Sequence, residues 1–463
     1  MTLDTDLTAV LQPGFSGTHV PPWLLQAREQ GLLSVCLYGD NAGPDGGVAE
    51  VCAALVEATP GVLVAADEEG GDVTRLHYPD GAPSVGNAVL GRLDDPAVTR
   101  AAARGIGSEL AALGVGLDLA PVVDVNSSPE NPVIGVRSFG ADPEAVARHT
   151  AAWVTGLQGT GVAACAKHFP GHGDTVADSH HDLPRVDAPA ELLQARELRP
   201  FRAAVDAGVA AVMTSHILLP ALDPTHPATF SPAVLALLRD GLGFEGTIVS
   251  DALDMAGASA RTGIPEAAVR ALAAGVDLLC LGPATGAQRL ADVRRALREA
   301  VETGRLPRTR VAEAAARVRV LADRTLRPAP GPVEPPVPLA EAARAFTLTE
   351  RARRFACGPA PLALVQVPSA SNLAVGGVAW GPQALGETVA EEAVPPGARV
   401  AVVGRSIGPG HPAHEVRRRL AARGHDVVLV ECGWPRGGAD VETWGSSPAV
   451  AAALLHVLGG GRR

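Results

Sequence analysis

The stretch GVLVAADEEGG, from Gly61 to Gly71, carries the pattern on which the fold prediction depends. Its first half is apolar without polar alternation, and the acidic residues Asp67, Glu68 and Glu69 follow at once. A strand without polar alternation must be buried on both faces, which is typical of a parallel sheet covered by helices. The acidic residues would then lie at the carboxyl end of that strand.

Runs of the same kind recur along the chain, and each precedes a stretch with helical periodicity and Gly or Pro punctuation. Including Gly61–Ala66, they are Ala9–Phe15, Leu33–Leu37, Gly116–Val123, Val162–Ala166, Ala210–Thr214, Thr247–Ser250 and Val276–Leu281. Eight parallel strands that alternate with helices close most simply into a (β/α)8 barrel of the α/β class. The sequence predicts this barrel over residues 1–326.

Polar residues follow several of these predicted strands. Catalytic groups of such barrels lie at the carboxyl ends of the strands, on the loops that follow them. Here the residues concerned are Asp67–Gly71, Asp124, Lys167 with His168, Ser215 with His216, and Asp251. We therefore expect a functional site at this rim.

A proline-rich segment, RPAPGPVEPPVP from Arg327 to Pro338, separates the predicted barrel from the rest of the chain. Closely spaced prolines keep a chain extended, so residues 327–340 are predicted to be a linker. Residues 341–463 then form a smaller open α/β domain. Its predicted elements are the strands Pro361–Val367, Arg399–Val403 and Asp426–Val430, with a helix over Pro412–Arg423.

The composition excludes several classes of protein. A formal net charge of −11 argues against a nucleic-acid partner, which requires a basic face. The apolar runs are too short to cross a membrane, and the start of the sequence lacks the features of a secretory signal, so we expect a cytoplasmic protein. The cysteines lie far apart without a CxxC pair, so neither disulfides nor a zinc ribbon are expected. The sequence does not predict an oligomeric state.

The segment KHFPGHGDTVADSHHDLP, from Lys167 to Pro184, is the richest in chemically active side chains. Metal binding by His168, His172, His180 and Asp178 is disfavoured, because Pro170 and Gly171 forbid a helix that would align the first two. Phosphate binding has the least support. A histidine acid/base is favoured, since Asp178 lies two residues before His180 and could hold its ring, and imidazole titrates near neutral pH.

The segment SDALDM, from Ser250 to Met255, holds two aspartates directly after a predicted strand. An aspartate there often caps the next helix, and Asp254 fits this role better. Asp251 lies at the strand end, where a carboxylate could attack a substrate or stabilise a cation. A rim carboxylate and a separate rim acid are the two groups that a glycosidase uses.

With these residues the sequence resembles glycoside hydrolase family 3, and within it the bacterial β-N-acetylglucosaminidases of cell-wall recycling. The resemblance spans roughly residues 8–325. Besides the histidine segment and SDALDM, its motifs are Leu11–Gly17, DEEGGDVTRL at Asp67–Leu76, APVVDV at Ala120–Val125, NPVIGVRSFG at Asn131–Gly140 and MTSHILLP at Met213–Pro220.

The resemblance implies a role for each matching residue. It implies that Asp251 is the nucleophile, His180 the acid/base and Asp178 the partner of His180. Sugar-binding positions are matched by Asp67, Arg75, Arg137, Lys167 and His168. It implies no metal and no cofactor. The sequence departs from the family pattern at Asp72, where many relatives carry a basic residue, and at His181.

The expected function is therefore the hydrolysis of terminal β-linked N-acetylglucosamine from small glycans such as peptidoglycan fragments, with retention of configuration. A phosphorylase is an alternative, because a neutral histidine base would not repel phosphate as the acceptor. The sequence is also compatible with a β-glucosidase of the same family, a sugar-binding protein without activity or a metal-dependent hydrolase.

Overall fold

The computed structural model describes residues 2–43, 48–175, 183–325, 336–369, 372 and 374–459. Its first part confirms the predicted α/β barrel, with a strand at each of the eight apolar runs. These strands are β1 (Leu11–Gln12), β2 (Ser34–Leu37), β3 (Leu63–Ala66), β4 (Val115–Asp118), β5 (Ala163–Phe169), β6 (Ala211–Thr214), β7 (Thr247–Val249) and β8 (Leu279–Cys280).

The barrel strands are all parallel. Strands β2 to β7 form one six-stranded sheet in chain order, and β1 pairs with β8. Two backbone hydrogen bonds link these groups, from Cys36 N to Pro13 O and from Ser250 N to Leu278 O, both at 2.9 Å. The strands therefore follow one another around a closed ring, whose carboxyl ends meet at one mouth.

Strand β5 is longer than the sequence predicted. Lys167 and His168 were expected to follow the strand, whereas β5 continues through both to Phe169. The ladder continues because Lys167 N donates to Pro121 O at 3.0 Å and Val123 N donates to Lys167 O at 2.7 Å. The backbone of both residues is thus fixed by the sheet rather than by a loop.

Helices surround the barrel and cover the strands. Their bounds are Leu3–Ala9, Pro22–Glu29, Val48–Ala58, Asn87–Leu93, Pro96–Ala112, Pro143–Gln158, Ala190–Leu192, Leu198–Asp206, Pro232–Ala236, Ala256–Ser259, Ile264–Ala274, Ala287–Glu302 and Arg308–Thr325. Two long ones begin alike, because Asp95 and Asp142 each cap a helix whose first residue is proline. Such a cap contributes about 1 kcal/mol. Trp153, fully buried, anchors the second of these helices in the core.

The second part of the chain contains a five-stranded sheet in the order β10-β11-β12-β13-β9. The strands are β9 (Thr347–Leu348), β10 (Leu362–Gln366), β11 (Arg399–Gly404), β12 (Val427–Glu431) and β13 (Val441–Glu442), with helices at Leu339–Ala342, Glu350–Ala356, Pro412–Ala422 and Pro448–Gly459. The three longer strands and the helix at Pro412 match the sequence prediction. Strands β9 and β13 were not predicted, because two residues carry no periodicity.

The proposed linker falls largely on residues 326–335, which lie outside the described residues. The helix Leu339–Ala342 begins within the last residues assigned to it. The domain limits at 326 and 340 stay predictions. Among the described residues, no helix has both the length and the apolar character needed to cross a membrane.

The second sheet packs its loops against the mouth of the barrel. Gly377 N donates to the hydroxyl of Tyr78 at 2.7 Å, and Ser446 N donates to Asp72 Oδ1 at 2.9 Å. Arg92 lies over the ring of Trp444, with its Cζ atom 4.9 Å from the centroid. The C-terminal part therefore borders the place where we expected the functional site.

Candidate active site

A cavity of about 320 Å³ lies at the mouth of the barrel. This volume is in the range of sites that hold small molecules. The lining includes the predicted residues Asp67, Arg75, Arg137, Lys167, His168 and Asp251. Apolar side chains such as Leu119, Val133 and Met213 complete the wall. These six residues come from four separate segments of the sequence, and all of them line one cavity.

Lys167 and Arg137 form a buried ionic network with two carboxylates. Lys167 Nζ lies 2.6 Å from Asp67 Oδ1 and 2.7 Å from Glu69 Oε1. Arg137 donates two parallel hydrogen bonds to Glu69, at 2.8 Å from Nε and 2.7 Å from Nη2. Paired donors of this kind fix both the position and the orientation of a carboxylate. Glu69 therefore holds the two cations, and Asp67 keeps an oxygen available to the cavity.

The charges of this network keep Glu69 and Lys167 ionised. Burial alone would raise the pKa of Glu69, but the adjacent Arg137 and Lys167 outweigh it and hold that pKa well below its usual range. Burial would likewise lower the pKa of Lys167, but Asp67 and Glu69 raise it above its ordinary value. The cavity thus presents a fixed ammonium group and a fixed guanidinium group, which suit the oxygen atoms of a ligand.

His168 is held by a buried carboxylate behind it. Its Nδ1 lies 2.8 Å from Asp124 Oδ2, and the other oxygen of Asp124 accepts from His172 N at 2.7 Å. Asp124 is fully buried, so the pair fixes the ring orientation of His168. The ring of His172 meets that of His168 edge to face at 5.9 Å. Burial lowers the pKa of His172 to about 4, which keeps this second imidazole neutral.

Asp251 follows β7 after one residue and is half-buried in the cavity wall. One of its oxygens, Oδ1, accepts from Ala252 N at 2.8 Å. The carbonyl of Ala252 in turn lies 3.1 Å from Nε2 of the buried His216. These contacts hold the backbone at Asp251 while its side chain borders the cavity.

Asp254 does not have the capping role that its position suggested. The next helix begins at Ala256, its N-cap residue is Met255, and no side chain caps it. Asp254 instead lines the cavity beside Asp251. The helix starts later than the sequence indicated, so the carboxylate is left in the turn that faces the mouth of the barrel.

The C-terminal part of the chain also contributes to the cavity. Ala374 lines it, and its carbonyl accepts a hydrogen bond from Arg75 Nη2 at 2.9 Å. Arg75 Nη2 also lies 3.9 Å from Asp67 Oδ2. The second sheet thus closes one wall of the cavity and fixes a residue that was predicted to bind sugar.

Sequence reasoning did not assign several other residues of the wall. Glu69 was noted only as part of an acidic run, yet it binds both cations. Tyr38 lies after β2, and its hydroxyl is 3.1 Å from Sγ of Cys280 at the end of β8. Tyr38 and Cys280 both lie at the carboxyl end of a predicted strand, and this position could have indicated that they border the cavity. Ala374 carries no signal of its own, because only the packing of the second sheet brings it there.

Asp178 and His180, the predicted acid/base pair, lie outside the described residues, as does His181. Before these residues, the described part of the same segment reaches Thr175, whose hydroxyl contacts His172 Nδ1 at 2.8 Å. Within the described ranges, no group of three or more His, Cys, Asp or Glu side chains is arranged to hold a metal ion.

Comparison with known proteins identifies the family. Residues 38–321 match the family model described as the glycosyl hydrolase family 3 N terminal domain. The chain belongs to glycoside hydrolase family 3. This confirms the resemblance inferred from its sequence motifs, and the matched segment contains the barrel strands from β3 to β8.

Relatives of this family 3 protein are similar to it over part of its length. It is 38% identical to "Beta-hexosaminidase A" of Pseudoalteromonas piscicida over 283 residues, which are 56% of this chain and 47% of the relative. It is 41% identical to a "Beta-hexosaminidase" of Alkalilimnicola ehrlichii over 232 residues, 48% of this chain and 65% of that one. The chain thus spans about half the length of the first relative and under two thirds of the second.

A solved structure resembles the whole chain. It is that of a glycoside hydrolase family 3 beta-N-acetylglucosaminidase from Paenibacillus sp. str. FPU-7, with a TM-score of 0.84 and 29% sequence identity. The similarity covers 100% of this chain and 97% of the other. The arrangement of a barrel followed by a smaller α/β sheet is therefore shared with a known member of the family.

Proposed function

We propose that this chain is a retaining exo-β-N-acetylglucosaminidase that releases terminal β-linked N-acetylglucosamine from small glycans such as peptidoglycan fragments. The observation that carries the proposal is the position of Asp251 in the cavity that also holds the network of Asp67, Lys167 and Arg137. The printed names of the related hexosaminidases, and of the similar solved structure, support the choice of sugar.

The ionic network suits the non-reducing sugar of such a substrate. A carboxylate such as Asp67 can accept hydrogen bonds from two neighbouring hydroxyl groups, while Lys167, Arg137 and His168 can donate to oxygen atoms. Charged hydrogen bonds of this kind are stronger than neutral ones, and water is largely excluded here because Lys167 is only 2% exposed. Held at several points, the sugar would present its anomeric carbon in one orientation.

Asp251 would act as the nucleophile. In the first step its carboxylate attacks the anomeric carbon, the glycosidic bond breaks, and a covalent glycosyl-aspartate forms through a transition state with oxocarbenium character. In the second step water attacks the same carbon and releases both the sugar and the carboxylate. Two inversions give net retention of the β configuration.

The proton donor would be His180, with Asp178 as its partner. The proposal for this pair is supported by the spacing of the two residues and by their match to the family pattern. As imidazolium, His180 would give its proton to the departing oxygen in the first step. As neutral imidazole it would then remove a proton from the attacking water in the second step.

The first test measures turnover by the purified chain on a panel of nitrophenyl β-glycosides. We expect preference for N-acetylglucosaminide over glucoside. Asp251→Asn should lower kcat by at least about 10³-fold, because loss of a nucleophile removes the covalent route. Asp206→Asn, which changes an exposed carboxylate at the other end of the barrel, serves as the control and should leave kcat unchanged. Full activity of Asp251→Asn would refute the assignment.

A second test follows the fate of the sugar. Proton NMR of the first product should show the β-anomer, and Asp251→Gly supplied with azide should form the α-glycosyl azide, because azide then occupies the place of the lost carboxylate. An α-anomer as the first product of the wild type would refute retention. In phosphate buffer, release of N-acetylglucosamine rather than its 1-phosphate distinguishes hydrolysis from phosphorolysis.

The acid/base assignment has its own test. His180→Ala should slow the cleavage of natural oligosaccharides far more than that of dinitrophenyl glycosides, whose leaving group needs no proton. Equal losses on both substrates would contradict the role. Full activity in the presence of a metal chelator would argue against the alternative of a metal-dependent hydrolase.

A further inference from the structure

A second cavity, of about 100 Å³, adjoins the first at the junction between the barrel and the C-terminal sheet. Val133 and Arg137 line both cavities, so the two share a wall. On the barrel side this second cavity is bordered by residues 129–137, and on the other side by loops that include Arg405 and Trp434. Nothing in the proposed chemistry uses these loop residues.

The topology of the C-terminal sheet favours a ligand at this place. Strands β10, β11 and β12 are parallel, and Asn372, Arg405 and Trp434 lie on the loops that follow their carboxyl ends. In open α/β sheets, ligands bind in the crevice outside the carboxyl ends of the strands. In this protein that crevice faces the mouth of the barrel, where the strand ends of the barrel also converge.

The floor of the crevice is held by a buried carboxylate. Glu431, only 1% exposed, accepts a hydrogen bond from Ser406 N at 2.9 Å, and Ile407 N and Gly433 N also donate to it. A Cβ atom at Gly433 would lie 2.9 Å from Oε1 of Glu431, so a larger residue here would force that carboxylate to shift. The two loops beside Arg405 are thereby fixed to one another.

Arg405 is a buried cation whose hydrogen-bonding groups are largely unused. Its side chain is 8% exposed, and Nε has no hydrogen-bond partner. Its nearest carboxylate, Asp72, lies 4.0 Å from Nη1, beyond hydrogen-bond distance, and Asp72 Oδ1 already accepts from Ser446 N. The guanidinium stacks on Trp380, with Cζ 4.2 Å from the ring centroid. Unused buried donors are costly, because they have lost their water without replacement.

The rim of the crevice adds a second cation and an aromatic face. Arg436 lines the cavity and pairs with the exposed Glu130 at 3.2 Å. Trp434 is partly exposed and meets Trp444 edge to face at 5.3 Å. An aromatic face beside charged donors suits a ring that carries an anionic substituent. These cations are local exceptions on a chain whose net charge is −11.

We propose that this second cavity binds the leaving part of the substrate and that Arg405 recognises a carboxylate on it. The inference rests on the proposed function, since a leaving part exists only if the adjoining cavity cleaves a glycoside. A guanidinium presents a planar fork of donors that matches a carboxylate, and stacking on Trp380 holds that fork in place. Arg405 would thus determine specificity without touching the reacting atoms.

The test uses two disaccharides that differ in one group. In one, N-acetylglucosamine is β-1,4-linked to N-acetylmuramic acid, and in the other the lactyl carboxylate of that acid is replaced by a carboxamide. We expect the wild type to cleave the carboxylate form with a kcat/KM about 10- to 100-fold higher, the range of a charged hydrogen bond. Arg405→Gln should bring the ratio of the two close to one. Arg419→Gln, a change on an exposed helix face, should leave the ratio as in the wild type.

Asp72→Asn separates recognition from a purely structural role. If Arg405 and Asp72 only joined the two parts of the chain, both variants would lower the activity on both disaccharides together. If Arg405 binds the substrate carboxylate, removal of the competing charge of Asp72 should raise the ratio of the two kcat/KM values, whereas a purely structural role would leave this ratio unchanged. Because Asp72→Asn retains Arg405, this readout remains available even if Arg405→Gln does not fold.

Three results would overturn the inference. They are a wild-type ratio near one, an equal loss on both disaccharides in Arg405→Gln, and formation of a sugar 1-phosphate that depends on Arg405. The last would assign the site to an acceptor phosphate instead. Absence of turnover on nitrophenyl N-acetylglucosaminide is a different failure, since it would contradict the proposed function itself.

Discussion

Replacement of Glu69 by glutamine should destabilise the protein strongly. The substitution keeps the size of the side chain but removes the charge that Arg137 and Lys167 contact at 2.7 to 2.8 Å. Lys167 retains Asp67 as an ionic partner, whereas Arg137 retains only neutral acceptors among these contacts, namely the new amide oxygen and the carbonyl of Val133 at 3.2 Å. One buried cation is therefore left without a carboxylate. Breaking a buried ion pair in this way costs about 3–5 kcal/mol of unfolding free energy.

The chain offers a matched control for this change. Glu144 and Arg199 form the same two parallel hydrogen bonds, at 2.6 and 2.9 Å, but both side chains are well exposed. Solvent screens such a pair, so Glu144→Gln should leave the stability nearly unchanged. Arg137→Lys keeps the positive charge but loses the pair of parallel donors. It should lower the free energy of unfolding by an amount between those of Glu69→Gln and Glu144→Gln.

Urea unfolding at neutral pH, followed by circular dichroism, measures all three variants. Glu69 is ionised under these conditions, because its neighbours hold its pKa well below the usual range. Equal shifts of the unfolding midpoint for Glu69→Gln and Glu144→Gln would refute the reasoning, since burial would then make no difference to the pair.

Three further predictions concern stability and use the same measurement. Burial lowers the pKa of His172 to about 4, whereas this pKa is about 6.5 in the unfolded chain. As the pH falls from 6.5 toward 4, the unfolded chain therefore binds a proton at His172 that the folded protein does not bind. The free energy of unfolding should therefore decrease by about 3 kcal/mol as the pH is lowered over this range, and His172→Gln should remove most of this decrease. Burial raises the pKa of Glu197 to about 7, so its ionisation opposes folding as the pH rises. Glu197→Gln should therefore stabilise the protein at pH 8 and not at pH 4, and the reverse would contradict the prediction. In Gly91→Ala the new Cβ would lie 1.7 Å from the carbonyl oxygen of Phe139, so a loss of about 1–3 kcal/mol or more is expected. Gly241→Ala, which meets nothing within 4 Å, should have little effect.

The order and type of the barrel strands could be predicted because buried parallel strands are continuous apolar runs. The run Gly61–Ala66 contains β3 in full, and Asp67 follows it as expected. Strand β5 was predicted too short, because its ladder continues through Lys167 and His168. Their polar side chains conceal a strand from any reading of apolar periodicity.

The site could be predicted only where residues lie at or just after the carboxyl end of a strand in the same part of the chain. Asp67, Lys167 and Asp251 meet for that reason, and the barrel topology guarantees it. Ala374 and Arg405 come from another sheet, and their place depends on how the two parts pack. Asp72, which stood out in the sequence as a departure from the family pattern, lies near Arg405 in the structure. No periodicity or spacing could have indicated that contact.

The hydrogen bond from Arg75 to the carbonyl of Ala374 joins the barrel to the C-terminal part of the chain. The matched family model covers residues 38–321, which supply the charged residues of the cavity, whereas the wall at Ala374 comes from beyond that segment. If Arg405 recognises the leaving group as proposed, exchanging the C-terminal halves of two family members would change the preference for that group, whereas Asp67, Lys167 and Asp251 of the barrel would be retained. Substrate preference could in this way change during evolution while the residues that cleave the bond stay the same.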